Sequence, residues 1–525
     1  MLSPTSPDIL ATLVCALLSA WLFLRNRRAA AQYPHPPGPK PLPLLGNLLD
    51  VPDPSSFPWK TYVEWGRRVD SDMVRMSALG TNIVVVNKLE AVNELLDKRS
   101  SIYSDRPRMV MLNELCDFGW GLAFMPYGDP WRNSRRIAHQ EFRPGPVKRF
   151  RPIEQRVSTQ FLVNLHRHPE KLMSHLRHLA AATIMAMVYD IDVKSLDDPY
   201  IHTAEEAGDA ISATTIAGSF LVDIIPLLRY VPEWFPGAGF KKKAKEWRIS
   251  VNRLRDAPYD DTMKRLLAGD LKDCAAKYVI ETVGKSLGAK DSGYAEFIMR
   301  STLGSLYIGG ADTTVSSLGS FFLAMTLYPD IQKKARKELD RVLGPHRLPS
   351  FADQPLLPYI EAILRESLRW NPVVPLNVPH MLTEDDVYKG YYLPKGTLLV
   401  ANNWAILHDE KAYGPDTSDF NPDRFLRPDG TLDPDVRDPA VAAFGFGRRI
   451  CPGRFMAMDS MWFTIANVLT LFKIEKAVDE KGKEIIPDGE YNRGFLCHPK
   501  PFPCVIKPRS KEHEAILQEW GHTDA

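Results

Sequence analysis

One cysteine sits in a setting that could do chemistry: Phe444-Gly445-Phe446-Gly447-Arg448-Arg449-Ile450-Cys451-Pro452-Gly453. A helical pattern follows, from about Arg454 through Trp462 to Leu469. Cys451 therefore precedes a helix N-terminus, where free N–H groups and the helix dipole favour a thiolate over a thiol. Gly445, Gly447 and Gly453 let the backbone approach a large flat ligand and aim N–H donors at the sulfur. Arg449 is a fixed cation that can pair with a carboxylate on such a ligand. A thiolate in this loop, with no second ligand nearby in sequence, suits axial ligation of haem iron. Taken singly, the same features also fit an inert buried cysteine or a loop that holds phosphate.

The whole pattern narrows the choice. Phe-x-x-Gly-x-Arg-x-Cys-x-Gly is complete here, and it resembles the haem-ligand signature of the cytochrome P450 family. The resemblance implies a haem-thiolate monooxygenase of mainly α fold with a smaller β region. It implies heme b (iron protoporphyrin IX), with Cys451 as axial ligand to the iron and Phe444, Arg449 and Gly453 around it. Ser301 to Leu327 reads as a long helical stretch interrupted by Gly309-Gly310-Ala311-Asp312-Thr313-Thr314. Each mid-helix Gly costs roughly 1 kcal/mol relative to Ala, and local rules tend to be broken at functional sites. A Thr hydroxyl there can bond a carbonyl one turn back and open the ladder for water. A helix N-cap at Asp312 would look similar. The stretch resembles the family's oxygen-activating Gly-x-Asp-Thr, which implies Asp312 and Thr313 as a catalytic acid–alcohol pair.

Three further motifs stand in the family's order. Trp131 and Arg135 are four apart on one helix face; this also fits a surface aromatic–arginine stack, but it resembles the family's pair at the haem propionates. Glu366 and Arg369, followed by Asn421-Pro422-Asp423-Arg424-Phe425, resemble a buried Glu–Arg–Arg network that braces the cysteine loop. The family more often has Glu where Asp423 stands, so the role falls on Arg424. His380 falls where an Arg or His approaches a propionate. Substrate walls implied by the resemblance are Phe118, Phe124, Ser305, Gly309, Val373 to Leu376, Phe495 and Leu496. Arg132, Arg136, Lys148 and Arg149 would form a basic docking surface, or simply a solvated face.

The elements that must position these residues are partly readable. Val74-Arg75-Met76 and Thr81–Val86 read as strands joined through Gly80, and Glu90–Leu96 as a helix. Residues from about 157 to 299 are helical in pattern, and Pro358–Trp370 is amphipathic. Val373–His380 and the run from Tyr388 to Thr397 read as short strands. Ile9–Leu24 is uncharged and followed at once by Arg25, Arg27 and Arg28; positive-inside reasoning makes residues 1–32 an uncleaved membrane anchor with its arginines in the cytosol. Residues 33–45 are a stiff proline-rich hinge, 46–510 the haem-binding domain, and 511–525 a loose polar tail. Trp234 and Phe235, beside Lys241-Lys242-Lys243, could dip into a membrane interface or line a buried loop. Six cysteines without a Cys-x-x-Cys pair argue against a zinc ribbon and fit a reducing compartment. A net charge of +2 excludes a global field for nucleic acid.

No flavin or nicotinamide fingerprint appears in the 525 residues. The resemblance therefore implies a separate NADPH-cytochrome P450 reductase, with cytochrome b5 as a second donor, on the endoplasmic reticulum membrane. The nearest resemblance is to fungal microsomal members, mushroom secondary-metabolite enzymes such as those that hydroxylate tryptamine. Largely apolar walls imply a lipophilic substrate, terpenoid or indole. Two rivals keep Cys451: a reductase-independent isomerase or dehydratase, and a non-catalytic membrane haem-binding protein. Neither has a reason to keep the Asp312–Thr313 pair.

Overall fold

The computed structural model describes residues 32–523, apart from 44, 54–55, 216–217, 287–290 and 345–346. The anchor expected at Ile9–Leu24 lies outside the described residues. Among them, no helix is long and apolar enough to cross a membrane. The longer helices are α1 (Pro58–Arg68), α2 (Asp129–Phe142), α3 (Arg151–Arg167), α4 (Leu172–Tyr189), α5 (Pro199–Thr215) and α6 (Gly239–Leu267). They continue with α7 (Ala275–Ser286), α8 (Ser292–Leu327), α9 (Pro329–Leu343), α10 (Pro358–Trp370), α11 (Arg454–Leu471) and α12 (Lys511–Thr523).

α8 is the axis of the core. Its 36 residues span about 54 Å at 1.5 Å per residue. Asp291 caps it by accepting the Tyr294 N–H at 3.0 Å. Pro329 stops it by excluding helical backbone at Tyr328. Every residue from Thr314 to Thr326 is buried, as expected of a helix surrounded by others: α2, α4, α5, α6, α7 and α11 all touch it. The interruption expected at Gly309–Thr314 is absent, and the helix runs through. Packing explains one of the two glycines. A Cβ on Gly310 would come within 2.7 Å of Ile184 on α4, whereas one on Gly309 would meet open space.

A small sheet flanks this bundle. β1 (Met73–Ala78) and β2 (Thr81–Val86) form an antiparallel hairpin. Its turn residues Leu79 and Gly80 both have positive φ, 47° and 87°, the geometry of a tight hairpin turn. β6 (Leu398–Ala401) pairs parallel to β2, and β3 (His380–Met381) pairs antiparallel to β6. Only the end of the expected Val373–His380 strand is one, because Pro375 and Pro379 remove ladder donors. β4 (Asp386–Tyr388) with β5 (Tyr391–Leu393), and β7 (Phe472–Lys476) with β8 (Cys504–Pro508), are separate antiparallel pairs. The helix expected over Glu90–Leu96 starts at Leu89 and widens into a π-helical turn over Asn93–Lys98.

Both ends of the domain differ from expectation. The proline-rich hinge is docked: Tyr392 donates its N–H to the Pro34 carbonyl at 2.8 Å, and Arg75 to that of Pro37 at 2.9 Å. Residues after Ser510 are no loose tail but form α12, which packs on α3 with Leu517 buried and Ile516 and Trp520 beside it. Only those three apolar residues face inward, which is why the segment reads as polar.

Candidate active site

Cys451 hangs between a strained turn and the start of α11. Its N–H donates to the Phe444 carbonyl at 2.8 Å, closing the loop. Gly445 and Gly447 both have positive φ, 78° and 52°. At Gly447 the need for glycine is absolute, because a Cβ would stand 2.0 Å from the Leu96 carbonyl oxygen. Gly453 is different: its φ is negative, and a Cβ would only touch Cys451 Sγ at 4.0 Å. Protein surrounds the sulfur on nearly every side, yet the residue keeps some accessible surface. Burial pushes the Cys451 thiol up, while the Gly453 and Arg454 N–H groups and the charges of Arg135 and Arg454 pull it down. Burial prevails, so the expected bias to thiolate is not met by the loop alone. A bound metal ion removes that proton.

Beside the loop lies a cluster of buried donors that no group of the described residues satisfies. Trp131 Nε1, Arg135 Nη1 and Arg449 Nη2 are all buried without a hydrogen-bond partner among the described residues. The Arg449 guanidinium lies 4.4 Å over the Trp131 ring, and its Nε donates to the Ser104 carbonyl at 2.8 Å. Desolvation pulls its pKa down to about 9, with Asp105 and Tyr127 opposing. Arg106 is buried beside it, spending its donors on the carbonyls of Ala123, Val378 and Pro379. Burial and the Arg449 charge hold Arg106 well below the usual arginine range. Desolvating a guanidinium costs several kcal/mol unless an anion compensates it. Asp105 is the acid that opposes both Arg106 and Arg449, so the cluster is short of negative charge.

His380 completes the ring of groups. It is buried on β3, with Nδ1 on the Tyr103 carbonyl at 2.7 Å and Nε2 without a partner. Burial and the charges of Arg106 and Arg449 push its pKa far down. The neutral ring donates from Nδ1 and presents Nε2 as an acceptor. The set is thus three donors, which fit a ligand bearing carboxylates, while the Nε2 lone pair of His380 meets such a group only through a proton or a water.

On α8 the Thr313 hydroxyl donates to the Gly309 carbonyl at 2.8 Å. Ser305, Thr302, Ser320 and Thr326 bond one turn back in the same way. The bond itself is therefore ordinary. Thr313 differs from the buried Thr302, Ser320 and Thr326 in keeping accessible surface, as Gly309 and Ser305 also do. Asp312 faces a histidine absent from the sequence reading: His498 Nε2 lies 3.1 Å from Asp312 Oδ2.

Comparison with known proteins concerns the chain as a whole. The family model described as Cytochrome P450 matches residues 36–505. The chain belongs to the cytochrome P450 family. It is 44% identical to Cytochrome P450 monooxygenase 98 of Postia placenta over 97% of both chains. It is 41% identical to Cytochrome P450 monooxygenase ple1 of Rhodocybe pseudopiperita, covering 95% of this chain and 94% of that one. With the Tryptamine 4-monooxygenase of Psilocybe cyanescens it shares 38% identity over 95% and 98%. The protein is a cytochrome P450 monooxygenase, and its family implies haem held by a cysteine thiolate. The unpartnered donors around Cys451 fit a porphyrin with two propionates.

The remaining motifs of this cytochrome P450 can be placed on the fold. Glu366, Arg369 and Arg424 meet as one buried cluster. Arg369 grips Glu366 through Nε at 2.6 Å and Nη2 at 2.7 Å, and Arg424 Nε reaches the same carboxylate at 3.2 Å. Arg369 also donates to the carbonyls of Leu407, Thr417 and Asp419, and Arg424 to those of Tyr413 and Asp416. Two arginines thus tie α10 to the long loop ahead of the cysteine. Asp423, the departure from the family pattern, points outward to Lys334 on α9 at 2.6 Å.

Of the expected walls, Phe118, Phe124 and Phe495 form an aromatic chain, with Phe124 5.9 Å from each of the other two. Ser305 accepts the Leu122 N–H at 2.9 Å and so fastens this loop to α8. Sequence reasoning missed Trp120, 4.6 Å from Phe118, whose ring packs where a Cβ on Gly304 would be. It also missed Arg106, which sits in no motif. Of the proposed basic surface, Arg132 is held by Asp129 and Arg149 by Glu141, while Arg136 and Lys148 are exposed.

Proposed function

We propose that this monooxygenase inserts one oxygen atom from dioxygen into a lipophilic small molecule of terpenoid or indole type. Cys451 would hold the haem iron through its thiolate, Trp131, Arg135 and Arg449 would hold the propionates, and His380 would join them through Nε2 when its ring carries a proton. The observation that carries this reading is the set of buried, unpartnered polar groups beside Cys451, together with an excess of buried cations. When bound, the haem supplies the redox centre at which dioxygen is reduced. Arg369 and Arg424, locked on Glu366, keep the approach to the cysteine loop in place.

Asp312 and Thr313 handle protons. The Thr313 O–H is committed to the Gly309 carbonyl, so its oxygen faces the open side as an acceptor for a water or a hydroxyl. Asp312, one residue away, is the side chain that can pass a proton toward that water. Phe118, Phe124, Phe495 and Leu376 exclude water from the substrate and select for apolar faces. The relative named for tryptamine oxidation supports an indole among the candidates. Electrons come from an NADPH-dependent reductase docking on the basic surface that includes Arg136 and Lys148. Residues 1–32 anchor the enzyme in the endoplasmic reticulum membrane with the domain in the cytosol.

A reduced carbon-monoxide difference spectrum tests the ligand. The wild type should show thiolate-type absorbance, and Cys451→Ala should lose both that band and all NADPH-coupled turnover. Retention of either by the variant refutes the assignment.

A further inference from the structure

Asp312, Ser316 and Gly319 stand at i, i+4 and i+7 of α8, hence on one face. Each receives one residue of a single loop. His498 Nε2 meets Asp312 Oδ2 at 3.1 Å, and Ser316 Oγ donates to the Cys497 carbonyl. Gly319 leaves space for Pro499, whose Cγ would lie 2.9 Å from a Cβ there. The loop is fastened elsewhere too. Cys497 donates its N–H to the Val373 carbonyl at 2.9 Å, and Asn492 donates to the His498 carbonyl at 2.8 Å while its side chain accepts the His498 N–H.

The imidazole is therefore built into place against one carboxylate. Its Nδ1 is buried and unpartnered, so Asp312 is the ring's one hydrogen-bond partner among the described residues. Gly208 of α5 also stands against Asp312, with no side chain and its Cβ position 4.0 Å from Asp312 Oδ2. Other charged groups around the pair are few. Asp209 of α5 is pushed up by burial and by Asp312 and pulled down by Arg177 of α4, with Glu206 adding to the rise. Along the loop, Lys500 is paired with Glu490.

We propose that His498 is a positioning residue that supplies Asp312 with protons and holds its carboxylate in one orientation, a role that rests on the monooxygenase reading above. In the transfer the imidazolium Nε2–H bond breaks and an Asp312 Oδ2–H bond forms. The charged pair becomes neutral, Asp312 then yields that proton to the site, and a hydronium ion from solvent reprotonates Nε2 and leaves as water. No co-reactant besides solvent protons is needed.

The test uses the full-length, haem-loaded enzyme with His498→Gln, Asp312→Asn and the double variant. His498→Gln should keep the thiolate carbon-monoxide spectrum and the substrate KM. Product per NADPH should fall by on the order of a hundredfold, the lower end of general acid–base catalysis, with peroxide rising in its place and the pH dependence of coupling flattened. The double variant should couple no worse than Asp312→Asn alone, since both act through one proton. Unchanged coupling and pH profile in His498→Gln, or losses that multiply in the double variant, overturn the proposal. A measurement independent of turnover closes the test: in 15N-histidine-labelled ferrous–carbon-monoxide enzyme, the His498 Nε2 resonance should move on Asp312→Asn. A resonance that stays put overturns the pairing even where His498→Gln does not fold. Absence of a thiolate spectrum in the wild type would instead strike the monooxygenase reading.

Discussion

Glu154 on α3 is a carboxyl group with both oxygens buried and without a partner among the described residues. Burial, aided by the Asp459 charge and opposed by Arg151, pushes its pKa up from 4.5 to about 8. The folded chain therefore holds a proton that the unfolded chain releases above pH 4.5. Stability is fully present below that pH and declines by about 1.4 kcal/mol per pH unit until the folded pKa is passed. Glu154→Gln removes the slope. The variant should melt close to the wild type near pH 4.5 and progressively higher from pH 6 to 8, with the gap constant beyond. Thermal unfolding at several pH values checks this, and a gap independent of pH would count against it. Legibility at this scale followed pattern length. Cys451, Asp312, Glu366 and Arg369 were visible because each sits in a spaced motif. Arg106 and His498 were not, because each is one residue of a common type brought in from a distant segment by the fold.

Elements were legible where periodicity and stop signals agreed. The stretch read as Ser301–Leu327 ends where the helix does, ahead of Pro329, although the helix begins nine residues earlier at Ser292, and β1–β2 has a Gly turn. Legibility failed where tertiary contacts decide. The paired glycines of α8 read as a break, but the helix is continuous because α4 and its other neighbours enclose it. Its two glycines should then respond oppositely to alanine. Gly310→Ala drives a methyl into Ile184, an overpacking that costs about 1–3 kcal/mol. Gly309→Ala meets nothing and gains about 0.5–1 kcal/mol of helix propensity. The first should lower Tm with little change in ligand spectra; the second should hold or raise Tm and alter substrate-induced spectral shifts. Equal melting points for the two variants would contradict this division.

At the scale of the whole molecule, the question is whether the domain itself offers a surface to a membrane when the first 31 residues are set aside. The domain's own contacts already begin at Pro34 and Pro37 on the sheet, and a Cβ on Gly38 would strike the Arg75 carbonyl oxygen at 1.9 Å. Deletion of residues 1–31 should thus leave the fold intact. The same domain exposes an apolar run it does not cover: Leu221, Leu227, Tyr230, Trp234 and Phe235, with Trp234 81% accessible. Lys242 and Lys243 stand exposed just beyond it. Apolar side chains beside cations suit an anionic lipid interface. The truncated enzyme should therefore sediment with vesicles containing anionic lipid. Burying a large apolar side chain is worth about 1.5–3 kcal/mol, so Leu227→Ser, Trp234→Ser and Phe235→Ser combined should weaken binding by more than about a hundredfold at unchanged Tm. If the truncated protein stays in the supernatant, or the triple variant binds as well as its parent, this surface carries no membrane attachment.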